Sequence, residues 1–191
     1  MGTSTSLSKR IQVIILGLDQ TGKSTLLKRM VDSVRSIRED FQMESTNGFN
    51  YINLTITGNA YSIWDLGGDK VNKDFWNIFY RTLNIKLVIY VIELTEENIL
   101  PNLQELIILM NEESLKESRF YVIFNCFMKP GQTFVKDDYT KKVKLIVSRI
   151  KEYPIYRINE RFQYDIIDLH KSTFTESDVD SILSYSFKDI D

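Results

Sequence analysis

Residues 17–24 form the one segment whose residue types and spacing predict a specific chemistry. They read Gly-Leu-Asp-Gln-Thr-Gly-Lys-Ser, a complete G-x-x-x-x-G-K-[ST] pattern. In such a loop the backbone N–H groups surround a polyphosphate, the lysine reaches the β- and γ-phosphates, and the serine hydroxyl ligates Mg²⁺. The predicted phosphate-binding residues are Asp19, Gln20, Thr21, Gly22, Lys23, Ser24 and Thr25. A chance match in a turn is the alternative.

The flanking elements favour the phosphate loop, because a β-branched run precedes it and an amphipathic helical pattern follows. Strands and helices alternate along the rest of the chain, which predicts an α/β fold with a mostly parallel sheet and helices on both faces. The strands are predicted at 11–16, 49–57, 61–65, 87–92, 120–124 and 165–169, and the helices at 23–38, 75–82, 99–111, 136–152 and 176–187. The second and third strands form a hairpin, the one antiparallel element.

The composition narrows the class of protein. The chain has 191 residues, 43% of them hydrophobic, and a formal net charge of −2, so no basic footprint for nucleic acid is present. Cys126 is the only cysteine, which excludes an internal disulfide. No apolar run is long enough to span a bilayer, and residues 1–9 do not read as a secretory leader. A cytoplasmic location is the expectation.

Two further motifs follow the loop in a fixed order. Residues 46–50 read Thr-Asn-Gly-Phe-Asn, and residues 64–69 read Trp-Asp-Leu-Gly-Gly-Asp. With the phosphate loop, they resemble the ADP-ribosylation-factor-like (ARF-like) branch of the small GTPases over about residues 10–190. The resemblance implies a P-loop small-GTPase fold with a six-stranded sheet and one antiparallel interswitch hairpin. It also implies a single domain over 10–191, preceded by a flexible tail over 1–9.

The resemblance assigns a role to each matching residue. Ser24, Thr46 and Asp65 correspond to the Mg²⁺ site, with Asp65 acting through water. The backbone N–H of Gly68 corresponds to the amide that senses the γ-phosphate. The implied cofactors are therefore GTP, or GDP, and Mg²⁺.

Three aromatic residues match the surface by which the family contacts effectors. They are Phe49, Trp64 and Phe79. The alternative is structural: Phe49 and Trp64 can be hairpin core, and Phe79 can be helix packing. Both interpretations stay open at the level of sequence.

The position of the family's catalytic glutamine is occupied by Asp69. A neutral amide there orients the attacking water. Aspartate is one methylene shorter and negatively charged, and it lies beside an anionic triphosphate. We therefore expect slow or absent hydrolysis.

The base-recognition motif Asn-Lys-x-Asp is also altered. Asn125 is retained, but Cys126 replaces the lysine and Met128 replaces the aspartate that accepts two hydrogen bonds from guanine. Loss of a bidentate carboxylate weakens discrimination against adenine. The last base-contact loop is expected near Lys171. The neighbouring His170, the only histidine, is expected to be a loop residue rather than a catalytic base.

The amino terminus fits the pattern for N-myristoylation, with Gly2 followed by Ser6. A chance match to this short pattern is the alternative. Leu7 is the only large apolar side chain in residues 2–9, so no membrane-binding helix is predicted, and one acyl chain alone binds membranes only marginally. Membrane contact is expected to be weak or absent.

Two functional hypotheses follow. The first is a GTP-binding protein with impaired hydrolysis that presents its switch and interswitch surface to a protein partner, as an adaptor or a subunit of a larger assembly. The second is a cycling GTPase switch in membrane traffic or in ciliary or microtubule processes. Either protein is expected to be monomeric outside its complex, with the cilium, cytoskeleton or membrane periphery as further locations. A P-loop kinase is the third and least favoured class.

Overall fold

The computed structural model describes residues 10–34, 48–69, 74–94, 96–126, 136–170 and 174–187. In these residues, strands and helices alternate as the sequence predicts. The strands are β1 (Ile11–Leu16), β2 (Phe49–Ile56), β3 (Asn59–Leu66), β4 (Ile85–Glu93), β5 (Arg119–Asn125) and β6 (Phe162–Ile167). The helices are α1 (Lys23–Ser33), α2 (Trp76–Thr82), α3 (Glu96–Met110), α4 (Lys136–Lys151), α5 (Ile158–Arg161) and α6 (Glu176–Ser184), with 3₁₀ turns at Glu113–Leu115 and Tyr185–Phe187.

The six strands form one sheet in the order β2-β3-β1-β4-β5-β6. Only the β2–β3 pair is antiparallel, and the other four pairs are parallel. The hairpin turns on Thr57 and Gly58, which both have positive φ, at 46° and 83°. Two such residues make a type I′ turn, whose twist matches that of the flanking strands. The predicted fold class is confirmed, including the single antiparallel hairpin.

Hydrophobic side chains fill both faces of the sheet. Alternate residues of β1 point to opposite sides: Ile14 belongs to the core that includes Trp76 and residues of α3 and α4, and Ile15 belongs to the core that includes α1 and α6. This arrangement leaves the carboxyl ends of the parallel strands at one edge, where the loops that follow β1, β3, β4 and β6 meet.

Several predicted boundaries are displaced: helix α3 begins at Glu96 rather than at residue 99, and helix α6 ends at Ser184, where a 3₁₀ turn follows. Helix α1 ends at Ser33 and not at Arg38, because Val34 is already extended, at φ −96° and ψ 101°. Strand β6 begins at Phe162, three residues before the predicted start. Among the described helices, none combines the length and apolar character needed to cross a membrane.

Candidate nucleotide site

A cavity of about 690 Å³ opens at the carboxyl edge of the sheet. Its volume lies in the range of small-molecule sites. The lining combines the phosphate loop, the start of β2, the end of β3 with the segment after it, the end of β4 and the segment after β6. The lining residues are Asp19, Gln20, Gly22, Lys23, Ser24, Thr25, Gly48, Phe49, Asn50, Asp65, Leu66, Gly67, Gly68, Asp69, Glu93 and His170.

The glycines of the loop are required by its geometry. Gly17 and Gly22 have φ of +148° and +103°, and a Cβ at Gly17 would lie 2.4 Å from the backbone oxygen of Val91. A Cβ at Gly22 would lie 2.8 Å from Nδ2 of Asn125. Helix α1 starts directly at Lys23, with no side-chain hydrogen bond capping its first turn. A helix N-terminus of this kind is suited to a phosphate group.

Within the part of the lining that the structure describes, Lys23 is the lysine of the cavity. Its side chain is buried, and Nζ donates a hydrogen bond to the backbone oxygen of Leu18 at 2.8 Å. Burial lowers the pKa of Lys23, and the charges of Asp65, Asp19 and Asp69 oppose that change. Three carboxylates therefore favour the charged form of this lysine, and its ammonium group is held at the phosphate loop.

Ser24 and Asp65 form the side of the cavity that suits a divalent cation. Oγ of Ser24 donates to Oδ2 of Asp65 at 2.8 Å, and Nδ2 of Asn50 donates to the same oxygen at 3.1 Å. Oδ1 of Asp65 is buried and accepts no hydrogen bond from the described residues. Burial raises the pKa of Asp65, against the hydrogen bonds from Asn50 and Ser24.

A buried carboxylate oxygen without a donor is costly, and it is satisfied by a cation or by water held on one. A hard oxygen donor set beside a phosphate loop is what Mg²⁺ prefers. Ser24 and Asp65 therefore fit the metal that the sequence predicts. Thr46, the third predicted metal residue, lies outside the described residues.

The segment after β3 packs directly on the phosphate loop. A Cβ at Gly68 would lie 2.3 Å from the backbone oxygen of Gly17 and 2.6 Å from that of Leu18. Only glycine fits here, because a side chain would meet the backbone of the phosphate loop. Asp69 follows it on the cavity wall.

On the other side of the loop, Asn125 is fully buried and joins two segments. Nδ2 donates to the backbone oxygen of Thr21 at 3.0 Å, and Oδ1 accepts from the backbone N–H of Leu169 at 3.1 Å. Arg29 holds the same segment from α1, because Nη2 donates to the backbone oxygen of His170 at 2.8 Å. Sequence reasoning missed Arg29.

The remaining base-side predictions have different outcomes. Cys126 is buried in the core instead of lining the cavity, and burial raises the pKa of its thiol to about 12. His170 lines the cavity. Met128 and Lys171 lie outside the described residues.

Phe49, Trp64 and Phe79 form one aromatic cluster. The ring centroids are 5.4 Å apart for Phe49 and Phe79, and 5.6 Å apart for Trp64 and Phe79. Phe49 is 39% exposed, and Nε1 of Trp64 donates to Oε1 of Gln12 at 3.0 Å. The cluster is thus both packed and partly open to solvent, and its contact with an effector stays a prediction.

A phosphate loop between a parallel strand and a helix, with a serine–carboxylate pair at the end of an antiparallel hairpin, defines a P-loop protein of the small-GTPase class. Comparison with known proteins narrows the class. The sequence model of the ADP-ribosylation factor family matches residues 1–159. The chain belongs to this family of GTP-binding small GTPases.

Individual relatives agree with this assignment. ADP-ribosylation factor-like protein 1 of Saccharomyces cerevisiae is 28% identical over 149 residues, which cover 78% of this chain and 77% of that protein. ADP-ribosylation factor-like protein 1 of Drosophila melanogaster is 30% identical over 119 residues, which cover 62% of each chain. The structure of the Arl6 BBS3 small GTPase from Trypanosoma brucei with the bound nucleotide analogue GppNp matches with a TM-score of 0.62 and 18% identity. That match covers 93% of this chain and 97% of that one, and it supports the fold.

Proposed function

We propose that the chain is a Mg²⁺-dependent GTP-binding protein that hydrolyses GTP slowly or not at all and presents its switch and interswitch surface to a protein partner. One observation carries the proposal: the cavity keeps Lys23, Ser24 and the buried carboxylate of Asp65, while Asp69 stands where the family has its catalytic glutamine. Binding chemistry is retained, and the group that orients water is replaced.

Charge explains why binding depends on the metal. Among the described residues of the lining, Lys23 is the one lysine, and it is accompanied by four carboxylates, those of Asp19, Asp65, Asp69 and Glu93. A triphosphate adds further negative charge to this cavity. Mg²⁺, held by Ser24 and through water by Asp65, supplies the positive charge that offsets the repulsion.

Asp69 accounts for the impaired hydrolysis. An ionised carboxylate accepts hydrogen bonds but donates none, so it cannot hold a water molecule and a phosphate oxygen at once as an amide does. Its charge also opposes the approach of a hydroxyl nucleophile to the γ-phosphate. Asp69 therefore lowers the rate without removing the binding site.

The base side supports a guanine preference that is weaker than usual. Asn125 keeps the loops after β1, β5 and β6 together. Met128 in place of the aspartate leaves the guanine edge without its two acceptors, and Lys171 is proposed to contact the base from the loop after β6.

The partner surface is proposed to be the aromatic cluster of Phe49, Trp64 and Phe79. Partly exposed aromatic residues are enriched at the centres of protein–protein interfaces. In this proposal residues 10–191 form one domain that works as an adaptor or subunit in the cytoplasm, with the cilium, cytoskeleton or membrane periphery as further sites, and residues 1–9 form a tail whose Gly2 can carry a myristoyl group.

The test begins with the nucleotide that the purified protein carries. We expect stoichiometric GTP when protein from its native source is denatured and the released molecules are separated by anion exchange. Single-turnover hydrolysis is then compared for the wild type and Asp69→Gln, which should be faster by about tenfold or more because it restores an orienting amide. Asp69→Asn is the matched control, since it removes the charge without restoring the length.

A protein that carries GDP, and whose wild-type rate equals that of Asp69→Gln, would be a cycling switch and would end the hydrolysis part of the proposal. An adenine nucleotide in the site would end the guanine part. An equal gain in Asp69→Asn and Asp69→Gln would place the defect in the charge of Asp69 rather than in its reach.

A further inference from the structure

The inner face of the β2–β3 hairpin changes from apolar to polar where it reaches the cavity. Ile52, Leu54 and Ile56 alternate along β2 and lie in the hydrophobic core. Asn50 takes the next inward position, and the strand register places it directly opposite Asp65 of β3. The apolar face therefore ends in a pair of polar residues, and this pair stands on the cavity wall.

The contact within this pair is direct. Nδ2 of Asn50 donates to Oδ2 of Asp65 at 3.1 Å, and the Ser24 hydroxyl donates to the same oxygen at 2.8 Å. Both donors thus occupy one oxygen of the carboxylate, and Oδ1 accepts no hydrogen bond within the described structure. The carboxylate is held in one orientation, with Oδ2 turned to Ser24 and Asn50, two residues of the cavity lining.

The strand that carries Asn50 is itself fixed at this end. The backbone N–H of Gly67 donates to the backbone oxygen of Gly48 at 2.9 Å. This hydrogen bond joins the two strands at the open end of the hairpin, next to Asn50 and Asp65. Asn50 therefore reaches Asp65 from a rigid cross-strand position rather than from a loop. Groups that orient a metal-site carboxylate are most effective when they are held in this way.

We infer that Asn50 is a positioning residue of the Mg²⁺ site, which acts by holding the carboxylate of Asp65 in the orientation that faces the metal. The inference rests on the proposed Mg²⁺-dependent nucleotide binding. Asn50 touches neither the nucleotide nor the cation in this role; it acts through Asp65. Removal of such a partner typically weakens metal affinity by about 10- to 100-fold.

The test is the Mg²⁺ dependence of GDP retention. Fluorescently labelled GDP is bound to the full chain, and its dissociation rate is measured across a series of buffered free Mg²⁺ concentrations. For Asn50→Leu we expect the half-saturating Mg²⁺ concentration to rise by about 10- to 100-fold, with GDP affinity in EDTA within about twofold of wild type. A purely structural role would lower GDP affinity with and without the metal alike.

Asn53→Leu is the matched control, because it makes the same substitution on the same strand but on the opposite face. Oδ1 of Asn53 accepts hydrogen bonds from Tyr51 and Ser62, at 2.7 Å and 3.0 Å, away from the cavity. We expect its Mg²⁺ dependence to match the wild type. An equal rise in Asn53→Leu, or no rise in Asn50→Leu, overturns the inference.

The experiment also separates this inference from the proposed function. If wild-type protein fails to bind GDP and GTP with or without Mg²⁺, the proposed function fails, and the role of Asn50 fails with it. If wild type shows Mg²⁺-dependent retention and Asn50→Leu shows the same dependence, only the role of Asn50 fails. Thermal unfolding of each variant establishes that the protein compared is folded.

Discussion

Replacement of Asn125 by aspartate is expected to destabilise the fold at neutral pH. The side chain is fully buried and makes one donating and one accepting hydrogen bond, to Thr21 and from Leu169. Aspartate keeps the acceptor but turns a second oxygen toward the backbone oxygen of Thr21, where the amide donated at 3.0 Å. The loss of one hydrogen bond costs about 1 kcal/mol, and an unsatisfied buried carbonyl costs about 1–3 kcal/mol. Together they give a deficit of about 2–4 kcal/mol in the free energy of unfolding.

This deficit should shrink as the pH falls. A protonated carboxyl can donate to the oxygen of Thr21, so burial and the facing carbonyl raise the pKa of the introduced group above its value in the unfolded chain. Between the two pKa values the folded state binds more protons than the unfolded state, and stability relative to wild type therefore falls as the pH rises. Asn125→Leu removes both hydrogen bonds and introduces no titrating group, so its deficit should not change with pH.

Urea unfolding followed by tryptophan fluorescence measures both effects, at about pH 7.5 and about pH 5.5, after the co-purified nucleotide has been removed in EDTA so that binding adds no stability. The reasoning is refuted if Asn125→Asp has the same deficit at both pH values while Asn125→Leu is equally destabilised. A deficit below about 1 kcal/mol in both variants would show that Asn125 does not hold the two segments together.

Two further predictions concern residues beside the site. Burial raises the pKa of the Cys126 thiol to about 12. At about pH 8 a thiol reagent should therefore label the chain unfolded in urea but not the folded chain, as measured by mass spectrometry. Equal labelling in both states would place the thiol at the surface. Arg29→Met removes the donors to the backbone oxygens of Leu169 and His170 and should speed release of labelled GDP by about tenfold or more, since tenfold corresponds to about one hydrogen bond. Lys28→Met, which removes the neighbouring exposed cation, should release GDP at the wild-type rate, and an equal gain there would attribute the effect to charge.

The central strands could be predicted from the sequence and the edge strand less well. Strands β4 and β5 are buried almost throughout, so each reads as a continuous apolar run. Strand β6 lies at the edge of the sheet and keeps Gln163 and Tyr164 partly exposed. Because this part of the strand is not a continuous apolar run, the predicted start at residue 165 missed its first three residues.

Helix α5 was missed for a different reason. It is only four residues long, and Arg161 within it is fully buried. The guanidinium is satisfied by the backbone oxygens of Ser118, Leu115 and Tyr156. Two of these three partners lie more than 40 positions away, and no local pattern indicates them.

The residues of the site also differ in whether a local sequence pattern predicts them. The phosphate loop is contiguous, so its pattern alone predicts six of the lining residues, although Thr21, predicted with them, is fully buried and does not line the cavity. Asn50 and Arg29 act on partners 15 and 140 to 141 positions away, and only the fold brings them together. Asn125 and Cys126 are adjacent, so their side chains leave the end of β5 in opposite directions. Asn125 joins the loops of the site, and Cys126 enters the core.

The charges of the cavity link the departure from the family pattern at Asp69 to the proposed role of the metal. With four carboxylates and one lysine among the described residues of the lining, every negative group raises the cost of holding a phosphate unless a cation is present. In the proposed function, Asp69 adds one such group at the γ-phosphate end. In its proposed role, Asn50 works in the opposite direction, because it keeps Asp65 turned to the metal that offsets this charge. On these two proposals, the same cavity retains a triphosphate firmly when Mg²⁺ is bound and is still poorly suited to cleave it.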